Sequence, residues 1–197
     1  MLGLSAGAEA SFSDYYGASS VVEIALTIAS NTNNYNIFSN RGGSYDAGKS
    51  NVTLTINSGV TVGSTSTGAY AFDTGTGWAS GDTITIVNNG TITGKGGSGG
   101  NGGSATKTGN ASWSSTAGTN GSTGGNGVRL QFATTIANNG AIYGGGGGGG
   151  GGYASGTYDN KGGTTTAYGG SGGGGGAGTQ GGAGGSGGTG TGDMPIA

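Results

Sequence analysis

Two short strings in the sequence match motifs that carry chemistry in other proteins. Asp73-Thr74-Gly75 has the form of the triplet that supplies the catalytic carboxylate of aspartic proteases, and Gly94-x-Gly96-x-x-Gly99 has the form of the dinucleotide-binding fingerprint. The triplet lies among Gly, Thr and Trp residues, whereas an aspartic protease needs apolar flanks around it. No helix-forming segment follows the glycine motif, and a tract this rich in glycine matches it by chance. Neither string predicts catalysis.

The residue types that are missing exclude most other chemistry. The chain contains no Cys and no His, which removes thiol chemistry, the commonest general base and the commonest transition-metal ligand. The six Lys and Arg residues are spread singly, so no basic patch predicts nucleic-acid binding. No run approaches the roughly 18 apolar residues of a membrane span. We therefore expect a protein that is not an enzyme, binds no cofactor or metal, and does not insert into a membrane.

Aromatic residues set among polar ones are the candidates for binding. They lie in three segments, residues 68–81, 104–124 and 153–168. Loops that mix Tyr and Trp with Ser, Gly and Asn have the physics of antibody paratopes, and aromatic rings also suit the faces of sugars. The alternative is that each aromatic ring only anchors its own loop. The candidate receptor-binding residues are Tyr70, Phe72, Trp78, Lys107, Asn110, Trp113, Asn120, Tyr153, Tyr158, Asp159, Asn160, Lys161 and Tyr168.

The first half of the chain is predicted to form β-strands. Val22, Ile24, Leu26 and Ile28 alternate with small or polar residues, which places the four aliphatic side chains on one face of a strand. Residues 52–56 and 83–87 show the same period of two. Gly and Thr are poor helix formers, and no segment carries apolar residues at helical spacing. We expect an all-β protein with almost no helix.

An internal repeat joins these strands to tight turns. Its three copies begin at Leu54, Thr85 and Thr135, and each reads as a strand, Asn-(Asn/Ser)-Gly, a short strand and Gly. Asn and Gly supply the positive φ angles of a hairpin turn. The repeat also fits the coils of a β-solenoid, in which Asn side chains stack into ladders at the corners. The spacings of 31 and 50 residues imply insertions, which usually gather on a binding face.

Glycine dominates the second half of the chain. Of the 55 glycines, 18 lie in residues 1–100 and 37 in residues 101–197, with nine consecutive glycines at residues 144–152. Collagen is excluded because the chain has one Pro and no Gly-X-Y period. Polyglycine can form the left-handed type II helix, in which nine residues span roughly 28 Å. Such helices have no internal hydrogen bonds, so a bundle must satisfy their backbone groups. The alternative is a flexible Gly/Ser linker.

These residues resemble a known family. Strands that end in Asn-Asn-Gly-x-Ile-x-Gly before a glycine tract, as at residues 88–103 and 138–152, resemble tail-fibre and adhesin proteins of tailed bacteriophages. Residues 11–17 (Ser-Phe-Ser-Asp-Tyr-Tyr-Gly) look like a short element of the same proteins. The glycine tracts further resemble the receptor-recognising adhesin at the tip of T-even long tail fibres. That resemblance implies polyglycine II helices that present distal recognition loops, here residues 104–124 and 153–168.

The expectation is therefore a virion tip protein. Residues 1–94 would form a β-rich attachment and oligomerisation region, solenoid-like or sandwich-like, and residues 95–197 a polyglycine II bundle with protruding loops. Its partners would be a bacterial surface receptor, either an outer-membrane protein or a polysaccharide, and other tail proteins. The resemblance implies a homotrimer, which would also cover strand edges. The alternatives are a purely structural fibre or baseplate component, and an ice-binding polyglycine protein.

Overall fold

The computed structural model describes residues 20–108, 112–157, 166–170, 172–178 and 181–191. Several predictions lie outside the described residues: the element at residues 11–17, and the candidates Asn110, Tyr158, Asp159, Asn160 and Lys161.

The described elements are sixteen short strands and one helical turn. In chain order they are β1 (Val22–Ile28), β2 (Thr32–Asn33), β3 (Tyr35–Asn36), α1 (Ile37–Asn40), β4 (Ser50–Ile56), β5 (Thr61–Gly63), β6 (Phe72–Asp73), β7 (Thr83–Asn88), β8 (Thr91–Thr93), β9 (Ala105–Thr108), β10 (Ser112–Ser115), β11 (Val128–Arg129), β12 (Thr134–Asn138), β13 (Ala141–Tyr143), β14 (Ser155–Thr157), β15 (Thr166–Tyr168) and β16 (Gly190–Thr191). The prediction of an all-β fold with almost no helix is confirmed for these residues.

Three parallel sheets form a β-solenoid. The chain visits the first sheet (β1-β4-β7-β12), then the second (β2-β5-β8-β13), then the third (β3-β6-β11), and repeats this order in each coil. All neighbouring strands in these sheets pair in parallel. Of the two architectures expected, the solenoid is the one observed. Residues 94–127 are inserted between β8 and β11, so β11–β13 belong to the solenoid although they lie beyond the expected division at residue 94.

Aliphatic ladders fill the inside of the solenoid. Leu26, Leu54, Ile86 and Ile136 stack in register across the first sheet. Leu54 is 0% exposed and Ile86 is 1% exposed, whereas Leu26 and Ile136 in the end coils are only partly buried. Burying such a side chain contributes about 1.5–3 kcal/mol. The period of two in the sequence therefore identifies the core, and its two end coils are less covered than the middle ones.

The register differs from the predicted repeat in one respect. The offset of 50 residues is confirmed, since Ile86 pairs with Ile136 and Ile92 with Ile142. The offset of 31 is wrong: Leu54 pairs with Ile86, 32 residues on, and Val62 pairs with Ile92, 30 residues on. The turn at residues 57–60 is longer than the turn at residues 89–90, which absorbs the difference. A slip of one residue would turn every aliphatic side chain outward, so the core decides the register. The sequence analysis also missed a fourth copy, β1–β2.

Asparagine side chains stack between the last two coils. The Asn88 Nδ2 group donates to Asn138 Oδ1 at 2.7 Å, and the Asn139 Nδ2 group donates to Asn89 Oδ1 at 3.0 Å. The strands on either side of each Asn-Gly turn belong to different sheets, so these turns are solenoid corners and not hairpins. The predicted ladder is confirmed.

A buried carboxylate joins two loops that lie beside the solenoid. Asp82 is 7% exposed and accepts four hydrogen bonds. Its Oδ1 accepts from the N–H groups of Gly48 at 2.8 Å and Ser50 at 3.1 Å. Its Oδ2 accepts from the Tyr45 hydroxyl at 2.7 Å and the Ala79 N–H at 2.8 Å. Burial acts to raise the pKa of Asp82, but the hydrogen bonds outweigh it and hold that pKa below its ordinary value.

Five glycine-rich segments lie side by side next to the solenoid. They are segment I (residues 94–104), II (116–125), III (144–152), IV (169–177 without 171) and V (181–189). The N–H groups of Gly97, Gly100 and Gly103 in segment I donate to Gly146, Gly149 and Gly152 of segment III at 2.8–2.9 Å. The donors and the acceptors both advance by three residues, so segments I and III run in parallel.

The other segment pairs repeat this period of three. Segment II is antiparallel to segment I, with N–H groups of Thr119 and Ser122 donating to Asn101 and Ser98 at 2.8–2.9 Å. Segment IV bonds to segments I and III, and segment V bonds to segments I and IV. Three residues per turn with all bonds between segments is the pattern that a polyglycine II bundle requires. It favours the bundle over a flexible linker, and the helix type stays a prediction.

Residues 116–124 correct one predicted loop. They form most of segment II and therefore belong to the scaffold, so the loop predicted at residues 104–124 is reduced to residues 105–115. Gly118, Gly121 and Gly124 face the backbone carbonyls of Gly151, Gly148 and Gly145, where a Cβ atom would not fit. Glycine at every third position was the sequence signal for this packing.

Candidate functional site

Two hairpins lie at the end of the bundle that is remote from the solenoid. Segment I begins where the Gly94 N–H donates to the Tyr143 carbonyl of β13, and it ends at Ser104. Hairpin 1 (residues 105–115) follows, with β9 and β10 paired antiparallel. Hairpin 2 (residues 155–168) follows segment III, with β14 and β15 paired antiparallel. We call this end of the bundle the distal end.

The C-terminal strand brings the two hairpins together. β16 pairs in parallel with β9, with Gly190 opposite Ala105 and Thr191 opposite Thr106, which makes a three-stranded sheet β10-β9-β16. β15 contacts both β16 and β9. Ala105 is 1% exposed and Ala154 is 0% exposed, so small buried side chains lie where each hairpin leaves the bundle. The hairpins therefore present one combined surface.

Hydroxyl groups fix the base of hairpin 1 to the bundle. Thr116 donates its N–H to the Ser104 carbonyl at 2.8 Å, and Ser104 donates its N–H to Thr116 Oγ1 at 2.9 Å. The same reciprocal pair recurs between Asn101 and Thr119, and between Ser98 and Ser122. A hydroxyl at every third position of segment II thus accepts an N–H of segment I. Sequence analysis missed this ladder, although residues 95, 98, 101 and 104 break the glycine tract at a visible period of three.

Tyr153 connects the two hairpins. Its side chain is 67% exposed, and its hydroxyl lies 2.7 Å from Ser115 Oγ at the end of β10. Tyr153 is the first residue after segment III, so this hydrogen bond spans the two points at which hairpin 1 rejoins the bundle and hairpin 2 departs from it.

The predicted site residues divide between the distal end and the solenoid. Trp113 of β10 pairs with Lys107 of β9, and Tyr168 of β15 pairs with Ser155 of β14, so all three lie on the hairpins. Asn120 is exposed but lies within segment II, on the side of the bundle. It is therefore not part of the distal surface, because segment II runs back toward the solenoid from Thr116.

The aromatic residues of residues 68–81 anchor the solenoid. Phe72 is 0% exposed and stacks on Tyr35 with ring centroids 6.2 Å apart, so it cannot touch a receptor. Trp78 packs edge-on against Phe38 at 5.0 Å, and its Nε1 donates to the Thr74 carbonyl at 2.9 Å. For Phe72 and Trp78 the anchoring alternative is the correct one. Tyr70 is half-buried, with the Arg129 guanidinium 4.4 Å from its ring centroid.

Asp73, the carboxylate of the protease-like triplet, has a structural partner. It forms an ion pair with Arg129, and its Oδ1 accepts from the Gly75 N–H and from Gln131 Nε2, both at 2.8 Å. Burial acts to raise the pKa of Asp73, but the bonds from Arg129, Gly75 and Gln131 outweigh it and hold that pKa below its ordinary value. Because β6 and β11 pair here, the carboxylate holds the chain where it returns from the insertion.

The two low-pKa carboxylates give the stability a predictable pH dependence. Because Asp73 and Asp82 have lowered pKa values in the folded state, the unfolded state takes up protons first as the pH falls. Their contribution is complete above the ordinary Asp pKa of about 3.9 and is lost as the pH falls through the folded-state values. We expect a melting temperature that is level between pH 7 and about pH 5 and falls below about pH 4. Thermal unfolding followed by circular dichroism checks this, and the variant Asp82→Asn should show a smaller fall.

Within the described residues, no three His, Cys, Asp or Glu side chains are grouped to hold a metal ion. The same part of the chain contains no helix long and apolar enough to cross a bilayer.

Comparisons with known proteins identify the family. A comparison with curated proteins found no match, and neither did a comparison with solved structures. The family described as phage tail fibre adhesin Gp38 matches residues 23–195, which include the solenoid, all five glycine-rich segments and both hairpins. This family places the protein in the tail fibre of the virion and implies a bacterial receptor and other fibre components as its partners. The chain belongs to the Gp38 family of phage tail fibre adhesins.

Proposed function

We propose that the distal hairpins bind the bacterial receptor without catalysis, and that the glycine-rich segments form a polyglycine II scaffold that carries them. The observation that supports this most directly is the meeting of hairpins 1 and 2 at one end of the bundle, joined through β16. Both hairpins are interruptions of otherwise regular segments, so their sequences can change while the backbone bonds of the bundle persist.

The chemistry of the hairpins suits a polar surface receptor. Trp113 and Lys107 on hairpin 1 and Tyr168 on hairpin 2 combine aromatic rings with a positive charge. Asn110, Tyr158, Asp159, Asn160 and Lys161 belong to the same two chain segments and add amide and charged groups. Rings beside adaptable hydrogen-bonding groups fit either a protein loop or the face of a sugar. The proposed receptor is therefore an outer-membrane protein or a surface polysaccharide.

The scaffold proposal rests on the hydrogen bonds between segments. Backbone groups bond between neighbouring segments at every third residue, and none of the glycines in segments I–V has a φ in the left-handed range. That combination is what left-handed helices of three residues per turn provide. At about 3.1 Å per residue, segment III would hold its hairpin roughly 28 Å from the solenoid.

The solenoid would then serve for attachment and oligomerisation. Strands β1 and β12 lie at the two edges of the first sheet, and each has a strand partner on one side only among the described residues. Open edges invite pairing with another chain. Attachment to other fibre proteins through residues 1–94, and assembly as a homotrimer, stay predictions.

Exchange of hairpin 1 tests the proposed function. We expect phage in which residues 105–115 are replaced by the corresponding hairpin of another family member to assemble normally but to lose adsorption to the original host. The measurement is the adsorption rate constant together with the particle yield. The matched control is Gly174→Ala, at an exposed position of segment IV where a Cβ atom meets nothing within 4 Å.

Two outcomes of that exchange contradict the proposal. Unchanged adsorption would show that hairpin 1 is not a recognition element, and a loss of particles would favour the purely structural alternative. Treating host cells with protease or with periodate before adsorption separates a protein receptor from a polysaccharide one.

A further inference from the structure

The hydrogen bond between Tyr153 and Ser115 joins the hairpins through a single pair of side chains. Hairpin 1 is fixed at its base by Ser104, Thr116 and Thr189, where the Thr189 N–H donates to Ser104 Oγ at 3.3 Å. At the base of hairpin 2 the described backbone bonds are those from Gly103 to Gly152 and from Gly170 to Gly103, at 2.8–2.9 Å. Hairpin 2 is thus tied to the bundle by its backbone, and Tyr153 adds a side-chain tie to hairpin 1.

We infer that Tyr153 is a positioning residue, whose hydroxyl sets the orientation of hairpin 2 relative to hairpin 1 through Ser115. This rests on the proposed function, and it gives Tyr153 a role other than the direct receptor contact expected from the sequence. The ring is largely in solvent, so the bond adds little to the burial of either side chain. What it does is to connect residue 115, where β10 ends, to residue 153, two residues before β14 begins.

A positioning role has a specific energetic consequence. A receptor that contacts both hairpins needs them in one relative orientation, and loss of the tie lets hairpin 2 sample others. Binding then carries the cost of restoring the orientation. Removing either partner of one bond has the same consequence, so the effects of the two removals must not add. A direct contact by Tyr153 would instead leave Ser115 without importance for adsorption.

The test is a double-mutant cycle in intact phage. Tyr153→Phe and Ser115→Ala should each lower the adsorption rate constant about three- to tenfold, and the double variant should be no worse than either single variant. Ser115→Thr keeps a hydroxyl and should restore adsorption. The melting temperature of the purified protein should change by no more than about 3 °C in all four, because the bond is exposed.

The opposite results overturn the inference. Additive losses in the double variant, or normal adsorption of both Tyr153→Phe and Ser115→Ala, would show that the bond does not orient the hairpins. If Tyr153→Phe adsorbs normally but Tyr153→Ala does not, the ring itself is the contact. Failure of the proposed function reads differently, since it appears as normal adsorption after exchange of hairpin 1.

Discussion

Replacing Gly148 by Ala is expected to lower the stability of the glycine-rich bundle by about 2–4 kcal/mol, whereas replacing its neighbour Gly147 should not lower it at all. A Cβ atom at Gly148 would overlap the Ser98 carbonyl and lie 2.8 Å from the Gly99 nitrogen. Both belong to the backbone of segment I, which cannot move away without losing its bonds to segments II and III. A Cβ atom at Gly147 meets only the Ser122 carbonyl, at 3.7 Å.

The two glycines are a matched pair because each has glycine neighbours on both sides. Neither has a positive φ, so alanine is not strained at either position. At Gly147 alanine should even stabilise by about 0.4–1 kcal/mol, since it reduces the freedom of the unfolded chain. Thermal unfolding of the purified variants measures the difference, about 5–15 °C between them at roughly 2–4 °C per kcal/mol. Equal melting temperatures would contradict the close-packed bundle.

This pair also marks where prediction from sequence ends. Nine identical residues carry no information about which third of them faces a neighbouring segment, so the inward glycines are identified only by the fold. Where side chains interrupt the tract the information is present: residues 95, 98, 101 and 104 fall on one side of segment I. The first half of the chain was more predictable, because alternating aliphatic residues reveal both the strand and its buried face.

The same reasoning explains the errors in the candidate site. Residues 116–124 have the composition of a polar loop, and only the spacing of Gly118, Gly121 and Gly124 shows that they pack as scaffold. Phe72 lies on a strand of two residues, too short for any periodic pattern, yet it pairs with Tyr35 and Val128 in the third sheet. Composition alone therefore placed a core residue among the receptor contacts. The hairpins at residues 105–115 and 155–168 were located correctly because they interrupt the glycine tracts.

The solenoid should depend most strongly on a single polar side chain, Asp82. The variant Asp82→Ala removes the acceptor for the N–H groups of Gly48, Ser50 and Ala79 and for the Tyr45 hydroxyl. Each buried donor left without a partner costs about 1–3 kcal/mol, and water entering the site offsets part of that cost. We expect a loss of about 3–5 kcal/mol in the free energy of unfolding, measured by urea denaturation. Asp46→Ala is the matched control, because that carboxylate is 54% exposed and its ion pair with Lys49 spans 3.8 Å. It should change the stability by less than about 0.5 kcal/mol. Equal losses in the two variants would mean that the loops at residues 41–49 and 74–82 are not held by Asp82.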